Sequence, residues 1–315
     1  MVLNMPQAPE FQYDAASVLN LGQRDHQEDA LAMDFPIGNP FGFTVLADGM
    51  GGHAAGDVAS KIVVTEVFSE LMFQSSDVDA MAENIGPVLK NAALAANDCV
   101  RAHVESNPET EGMGSTLLAP VIVNEKLFWI SIGDSPLLLY RDGKLTQLNE
   151  DHSMAPQIDL MVAAGAITED AAANHPDRNC LTSVLFGDEI EAIDCPEEPF
   201  ILEDGDILIA ASDGLQFLEN AEILFTLKQN LAKPAATIAK SLLDQLIALD
   251  DPAQDNVSFT VIKAQAAVAD ALSQLAAELV RAAEADEDDA LTDAAAQDEA
   301  EPVDFEAIVA ARAAQ

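Results

Sequence analysis

Four short aspartate motifs, widely separated along the chain, each lie beside an apolar run. The motifs are Glu28-Asp29, Asp48-Gly49, Asp213-Gly214 and Asp255-Asn256. Apolar runs that stop at glycine or polar pairs are typical of strands that end in loops. If those strands bring the motifs to one edge of a sheet, the carboxylates form an oxygen-only site for hard divalent cations. The fold must therefore bring distant parts of the chain together.

The middle of the chain predicts two consecutive β-hairpins. Their strands are 115–123 with 126–132, and 137–141 with 144–148. Turns at Asn124-Glu125 and Asp142-Gly143 connect them. Further strands are predicted at 13–22, 41–47, 204–211 and 256–262. Consecutive hairpins indicate an antiparallel sheet, because parallel strands need long crossover connections.

Helical periodicity follows several of these strands. It predicts helices at 56–73, 78–105, 220–230 and 234–249. Residues 151–189, after the second hairpin, hold short helical signals at 158–164 and 168–173. A segment of this length beside a site is typical of a mobile flap or a specificity subdomain, and a plain surface excursion is the alternative.

Charge and cysteine usage limit the partners and the compartment. The chain has 315 residues and a formal charge of −41, which opposes binding to nucleic acid or to an anionic membrane and favours basic partners. Such acidity also suits a salt-rich cytoplasm or a need for solubility. No secretory signal or membrane-spanning run is recognisable, and the cysteines lack C-x-x-C spacing. We therefore expect a cytoplasmic protein with reduced thiols.

Composition predicts two regions. Residues 1–263 are long enough for one large domain with a substantial core. Residues 264–315 are rich in alanine, aspartate and glutamate, with a helical apolar pattern only at their start. We expect this tail to be part helical and part disordered, and either to solubilise the protein or to dock a partner.

The predicted site suits hydrolysis of a phosphate monoester. That reaction needs charge neutralisation on the phosphoryl oxygens and a nucleophile stronger than water, and two adjacent divalent cations supply both. Mg2+ and Mn2+ prefer oxygen ligands, and several negative ligands are needed to hold two of them together. Arg24, shortly before Asp29, is the natural phosphate clamp because a guanidinium binds two phosphate oxygens at once.

Six motifs occur in an order that resembles a known family. They read Arg-x-x-Gln-Glu-Asp from Arg24, Ala-Asp-Gly-Met-Gly-Gly-His from Ala47, Gly-Met-Gly-Ser-Thr from Gly112, Gly-Asp-Ser from Gly133, Ser-Asp-Gly from Ser212 and Asp-Asn from Asp255. The set resembles the metal-dependent protein serine/threonine phosphatases of type 2C, in their bacterial form. That resemblance implies an α+β fold, a four-layer sandwich of two central antiparallel β-sheets flanked by α-helices. It also implies hydrolysis of phosphoserine and phosphothreonine in signalling, by direct attack of a hydroxide that bridges two Mg2+ or Mn2+ ions.

The resemblance also implies roles for individual residues. The expected metal ligands are Glu28 (through a water), Asp29, Asp48 (bridging), Gly49 (through its carbonyl), Asp134 (a third, weak ion), Asp213 and Asp255. Arg24 and Asp48 are the expected catalytic residues, and Arg24 and His53 are expected to bind substrate. Phosphorylated proteins are the implied partners, together with a cognate Ser/Thr kinase.

Several positions depart from the family pattern. Gln27 stands where bacterial relatives usually have asparagine, and Met50 stands where eukaryotic relatives have the histidine proposed as general acid. Water or His53 would then protonate the leaving group, although a packing role at the start of a helix is the alternative for His53. Phe217 replaces an acidic partner of the third metal site, and Pro136 replaces an arginine after Gly-Asp-Ser.

Two other functions stay open. A catalytically weak or inactive binding module of the same fold would regulate a kinase or a scaffold through its cleft and tail, and Phe217 and Pro136 are the hints for it. An acid-rich, salt-adapted protein would instead bind cations loosely at its surface. Stoichiometric metal binding without turnover would indicate the first alternative, and weak, non-saturating binding would indicate the second.

Overall fold

The computed structural model describes residues 11–51 and 54–266. The strands are β1 (Phe11–Asn20), β2 (Asp29–Asp34), β3 (Phe41–Met50), β4 (Gly114–Ser115), β5 (Leu117–Val123), β6 (Lys126–Ile132), β7 (Leu137–Arg141), β8 (Lys144–Gln147), β9 (Phe200–Ile201), β10 (Ile207–Ala211) and β11 (Val257–Ala266). The α-helices are α1 (Ala54–Gln74), α2 (Val78–Glu83), α3 (Ile85–Ser106), α4 (Ala155–Ala163), α5 (Glu169–Ala173), α6 (Asn220–Asn230) and α7 (Ala235–Leu249). No helix in these described ranges is long and apolar enough to cross a membrane.

The strands form two antiparallel sheets. The order in the first sheet is β1-β11-β10-β7-β8, and the order in the second is β2-β3-β5-β6-β9, with β4 pairing with β3. Neighbouring strands in both sheets run antiparallel. The antiparallel architecture expected from the hairpins and from the family resemblance is therefore confirmed.

Strand β5 shows why these strands are apolar without interruption. Leu117, Ala119 and Val121 pack in the core that the second sheet shares with α1 and α3. Leu118 and Ile122, on the opposite face, pack in the core between the two sheets. The first sheet buries its other face against α6 and α7. The layers are thus helices, sheet, sheet and helices, which confirms the predicted four-layer sandwich.

Several elements differ from the sequence prediction. The helix predicted over 78–105 is divided at Asn84, whose φ is −124° and whose side-chain amide donates to the Ala80 carbonyl oxygen at 3.1 Å. Such local hydrogen bonds compete with helix propagation. The pattern does not indicate β2, because Asp-Ala-Leu-Ala-Met-Asp contains few β-formers. Strand β11 continues to Ala266, four residues past the end of the strand predicted over 256–262.

The segment 151–189 leaves the first sheet after β8 and carries α4 and α5. Ser153 forms an antiparallel bridge with Leu181, and Leu185 forms another with Ser115. The first bridge thus closes the segment on itself, and the second attaches the end of the segment to β4. Residues 267–315, which hold nearly all of the predicted tail, lie outside the described residues.

Candidate metal centre and active site

Asp29 and Asp48 lie opposite each other on β2 and β3. Asp29 is only 2% exposed. The backbone of Asp48 is fixed on both sides, because its N–H donates to Thr116 Oγ1 at 2.9 Å and its carbonyl oxygen accepts from Ser115 Oγ at 3.0 Å. Like charges directly opposite each other on paired strands repel. Two carboxylates held in this way need protons or cations between them.

Asp213 and Asp255 come from the other sheet. Asp213 begins a 3-10 helix directly after β10, and Asp255 precedes β11. Ser212 Oγ donates to Asp29 Oδ2 at 2.8 Å, which links the two sheets. The motifs therefore meet at one end of the sandwich, and both sheets contribute to them. The prediction that they share one edge of a single sheet is wrong.

Two glycines permit the close backbone contacts of this region. A Cβ atom on Gly49 would lie 2.0 Å from the Gly56 carbonyl oxygen, and one on Gly214 would lie 2.0 Å from the Asn256 carbonyl oxygen. No residue with a side chain fits at either position without moving the backbone. The N–H of Gly49 also donates to the Glu28 carbonyl oxygen at 3.1 Å. The glycines after Asp48 and Asp213 therefore let neighbouring motifs pack together.

Arg24 forms an ion pair with one of the predicted metal ligands. Its Nη2 lies 2.6 Å from Asp255 Oδ2, and its side chain is 52% exposed. The chain on both sides of Arg24 is fixed to Asn256, next to the start of β11. Asn256 Oδ1 accepts from the Glu28 N–H at 2.7 Å, and Asn256 Nδ2 donates to the Leu21 carbonyl oxygen at 2.8 Å. Arg24 and Glu28 thus lie at the predicted site.

Asp134 lies in the turn between β6 and β7, and buried Asn149 braces that turn. Asn149 Oδ1 accepts from the Leu137 N–H at 2.7 Å. Its Nδ2 donates to Ser131 Oγ at 2.8 Å and to the Ser135 carbonyl oxygen at 3.0 Å. The side chain of Asn149 therefore joins the two strands that flank Asp134.

Replacing Asn149 with alanine is expected to lower the free energy of unfolding by about 2 kcal/mol, because the Leu137 N–H and the Ser135 carbonyl lose their buried partner. Urea unfolding at pH 7 measures the change. Asn91→Ala is the matched control, since Asn91 is exposed on α3, and we expect a change within about 0.5 kcal/mol. Equal effects of the two substitutions would contradict the bracing role of Asn149.

His152 connects the same turn to the segment of residues 151–189, which we call the flap. Its backbone N–H donates to the Gly133 carbonyl oxygen at 3.0 Å, and its Nδ1 accepts from the Gly133 N–H at 3.3 Å. The ring is 6% exposed. The first residues of the flap are therefore tied to the backbone next to Asp134.

Burial and mutual repulsion perturb the paired aspartates. Burial raises the pKa of Asp29 to about 6, a hydrogen bond from Ser212 opposes the rise, and the charge of Asp213 adds to it. Burial, followed by the charges of Asp29 and Asp213, raises the pKa of Asp48 well above its usual range. Both carboxyl groups therefore lose their protons less readily than exposed aspartates do when no cation balances their charge.

The same causes act on the neighbouring carboxyl groups. Burial and then the charge of Asp255 raise the pKa of Asp213, whereas its hydrogen bond with Asp48 lowers it. Burial and the charge of Asp213 raise the pKa of Asp134 to about 7. Burial also raises the pKa of Glu28. The carboxyl groups at this end of the sandwich thus act on one another electrostatically.

The donor set fits hard divalent cations. Asp29 Oδ1 and Asp213 Oδ1 are buried and accept no hydrogen bond from a described residue. An unpartnered buried carboxylate oxygen is costly, and a cation would satisfy it. Oxygen ligands of this kind suit Mg2+ and Mn2+. Among the described residues, no three side chains are already arranged as a metal site. Asp255 is paired with Arg24. Side chains therefore have to shift when ions bind.

A cleft of about 720 Å³ adjoins these aspartates. Asp134 and Asp213 line it, and so does Asp151 at the start of the flap. Pro136 and Phe217 also belong to its lining. The structure therefore brings together two departures from the family pattern that are distant in sequence, and it places them in a cleft beside two of the predicted ligands, Asp134 and Asp213.

Two expectations concern the glycine-rich segment after Asp48. His53 lies outside the described residues, so its role in substrate binding stays a prediction. Met50 ends β3 with 41% of its surface exposed. A thioether cannot donate a proton, so Met50 offers no general acid at this position.

Sequence reasoning misses the polar residues that hold the aspartates in place. They are Thr116, Asn149, His152, Ser212 and Asn256. Thr116, Ser212 and Asn256 belong to the motifs that contain the aspartates or lie beside them, so motif membership is the signal that points to them. Asn149 carries no such signal, because its role depends on contacts with two other strands.

Known proteins resemble this chain in sequence and in fold. The family model for Protein phosphatase 2C matches residues 20–249. The serine/threonine protein phosphatase PstP of Mycobacterium tuberculosis is 35% identical over 216 residues, which cover 69% of this chain and only 39% of PstP. The crystal structure of M. tuberculosis PstP/Ppp has a TM-score of 0.65 and 32% identity, and the match covers 80% of this chain and 98% of that one.

A second solved structure shows a bound metal. The crystal structure of the catalytic domain of PstP in complex with two manganese ions has a TM-score of 0.62 and 30% identity. The match covers 81% of this chain and 99% of that domain. Because the family model matches most of the sandwich and includes three of the four aspartate motifs, those at Asp29, Asp48 and Asp213, the chain belongs to the protein phosphatase 2C family.

Proposed function

We propose that this chain is a metal-dependent phosphatase that hydrolyses phosphoserine and phosphothreonine in proteins. The observation that carries the proposal is the meeting of Asp29, Asp48 and Asp213 from two sheets, with buried carboxylate oxygens that no described residue satisfies. Relatives that are named serine/threonine phosphatases support it. Phosphorylated proteins are then its partners, a Ser/Thr kinase is the enzyme it opposes, and its setting is cytoplasmic signalling.

Two Mg2+ or Mn2+ ions are the proposed cofactors, and the manganese complex of PstP supports this choice. The proposed ligands are Asp29, Asp48, the Gly49 carbonyl, Asp213 and Asp255, with Glu28 acting through a water and Asp134 holding a third, weaker ion. When bound, such ions supply charge neutralisation and an activated water for direct attack on phosphorus. Asp48, which the pairing of β3 with β2 and the hydroxyl of Thr116 hold in place, is the proposed bridging ligand.

Arg24 is the proposed phosphate-binding residue. Within its guanidinium, only Nη2 donates to a described residue, Asp255, so the remaining guanidinium N–H groups can bind phosphoryl oxygens. A guanidinium in this position can bind two phosphoryl oxygens at once through parallel N–H groups. Arg24 therefore binds and orients the phosphate next to the carboxylates.

Arg24→Ala is expected to lower kcat/KM for a phosphothreonine peptide by about 10- to 100-fold, because one or two charge-assisted hydrogen bonds are lost. Initial rates with saturating Mn2+ measure the change. Arg101→Ala is the matched control, since Arg101 is 51% exposed and pairs with Asp98 on α3. Arg24 has no part in phosphate binding if both variants keep the parent rate.

The proposal is tested by Mn2+-dependent hydrolysis of p-nitrophenyl phosphate and of a phosphothreonine peptide. We expect turnover of both substrates, and loss of turnover when a chelator removes the metal. Saturable binding of two Mn2+ ions without turnover would instead favour the inactive binding module. Phe217 and Pro136, the sequence hints for that alternative, line the cleft and are not among the proposed ligands.

A further inference from the structure

The cleft beside the aspartates has an apolar floor. Phe217, Pro136, Leu138 and Ile223 line it. Phe217 ends the 3-10 helix that begins at Asp213, and it packs on the core beneath α6 while part of its side chain stays exposed. An apolar side chain that settles on this floor is removed from water, which is favourable.

The rim of the cleft is acidic. Asp151 and the exposed Glu219 belong to its lining. The only basic residue in the described lining, Arg178, is engaged by Asp159 through two hydrogen bonds of 2.7 and 3.2 Å. An acidic side chain in the cleft would therefore meet like charges, and the Arg178 charge is already neutralised.

The position of the cleft determines which part of a substrate enters it. Asp134 and Asp213 belong both to the proposed metal centre and to the cleft lining. An extended peptide advances by about 3.3 Å per residue, so the residues next to a phosphoresidue at the aspartates reach the cleft. Its volume of about 720 Å³ lies in the range of ligand sites and is large enough for a few side chains.

We propose that this cleft selects phosphoprotein segments that carry an apolar side chain, and no acidic one, next to the phosphoserine or phosphothreonine. Phe217 is the main specificity-determining residue, because it combines an accessible ring with a fixed position one helical turn from Asp213. The inference rests on the proposed phosphatase activity and deepens it by naming the class of substrate.

The test is a set of phosphothreonine peptides in which Leu, Gln or Glu is placed in turn at each position from two before to two after the phosphoresidue. In the presence of Mn2+, we expect kcat/KM at one position or more to be about 5- to 20-fold higher with Leu than with Gln, and lower with Glu than with Gln. Turnover of p-nitrophenyl phosphate is measured in parallel.

Three variants test whether the preference for Leu depends on the apolar floor of the cleft. Phe217→Ser is expected to bring the Leu-to-Gln ratio within about 2-fold, whereas Phe217→Leu keeps the preference because it keeps an apolar floor. Phe225→Ser is the matched control, since Phe225 is 63% exposed on α6 and does not line the cleft. The Leu-to-Gln ratio of kcat/KM is measured within each variant. A lower fraction of folded or metal-loaded protein affects both rates equally and therefore cancels in this ratio.

The outcomes separate this inference from the proposed function. Turnover by the parent without a Leu preference at any position overturns the inference and leaves the phosphatase activity standing. A preference that survives in Phe217→Ser also overturns it. Absence of turnover on every substrate with Mn2+ present overturns the proposed function, and the inference with it.

Discussion

Asp48→Asn is expected to lower kcat/KM for a phosphothreonine peptide by about 1000-fold or more and to abolish tight binding of Mn2+. Asparagine has the same shape as aspartate and keeps one carbonyl oxygen, but it lacks the negative charge that a ligand between two dications has to supply. Residues that merely support metal ligands typically contribute about 10- to 100-fold. A ligand of both ions should therefore contribute more. Steady-state rates and a Mn2+ titration measure the two effects.

The same substitution should stabilise the metal-free protein. The charges of Asp29 and Asp213 raise the pKa of Asp48, in addition to burial, so a neutral amide at this position removes a source of repulsion. We expect Asp48→Asn to have a higher Tm than the parent in EDTA and no increase in Tm when Mn2+ is added. A folded and more stable variant without activity excludes misfolding as the cause.

Asp142→Asn is the matched control for this experiment. Asp142 lies in the turn between β7 and β8 with a φ of 51°, a conformation that asparagine adopts readily. We expect its activity and its affinity for Mn2+ to equal those of the parent. Asp48 is not a metal ligand if Asp48→Asn retains full activity and saturable Mn2+ binding.

The sequence predicts which aspartates come together at this end of the sandwich. It does not predict the contacts that hold them there. The aspartates lie beside short apolar segments and glycines, which local patterns reveal. The hairpin turns at Asn124 and Asp142 have the left-handed backbone that their residues favour, with φ of 55° and 51°. Local chemistry of this kind depends on a few neighbouring residues, and one sequence is enough to recognise it.

Contacts between the two sheets cannot be predicted from local sequence patterns. Ser212 and Asp29 are 183 positions apart, and their hydrogen bond exists because β10 ends and β2 begins at the same side of two packed sheets. No periodicity within either segment encodes which sheet a strand joins. The ion pair between Arg24 and Asp255, 231 positions apart, is unpredictable for the same reason. The convergence of the carboxylates was thus predictable, whereas their origin in both sheets was not.

The metal-free protein should lose stability as the pH rises through the pKa of Asp29. Burial raises that pKa from 3.8 to about 6 in the folded state, so the folded state binds the proton more tightly than the unfolded state does. The protonated carboxyl therefore stabilises the fold fully below about pH 4, and this stabilisation is lost as the pH rises past about 6. A rise of this size corresponds to about 3 kcal/mol.

Urea unfolding in EDTA at several values between about pH 4 and pH 7.5 measures this loss, with Asp29→Asn as the reference. The general repulsion of a chain with a formal charge of −41 also increases with pH, but it is shared by both proteins and cancels in their difference. We expect the parent to lose about 3 kcal/mol relative to Asp29→Asn across this range, while Asp142→Asn follows the parent. A difference between parent and Asp29→Asn that does not change with pH would contradict the assignment.

Mn2+ should restore the lost stability at pH values at which Asp29 is deprotonated. Metal ions bind the deprotonated carboxylates and therefore compete with protons. We expect the increase in Tm on adding Mn2+ to be small at about pH 5 and large at about pH 7.5 in the parent, and small at both in Asp29→Asn. An increase in Tm that is equal at the two pH values would show that the ions bind elsewhere, because binding at Asp29 has to displace the proton that burial retains there.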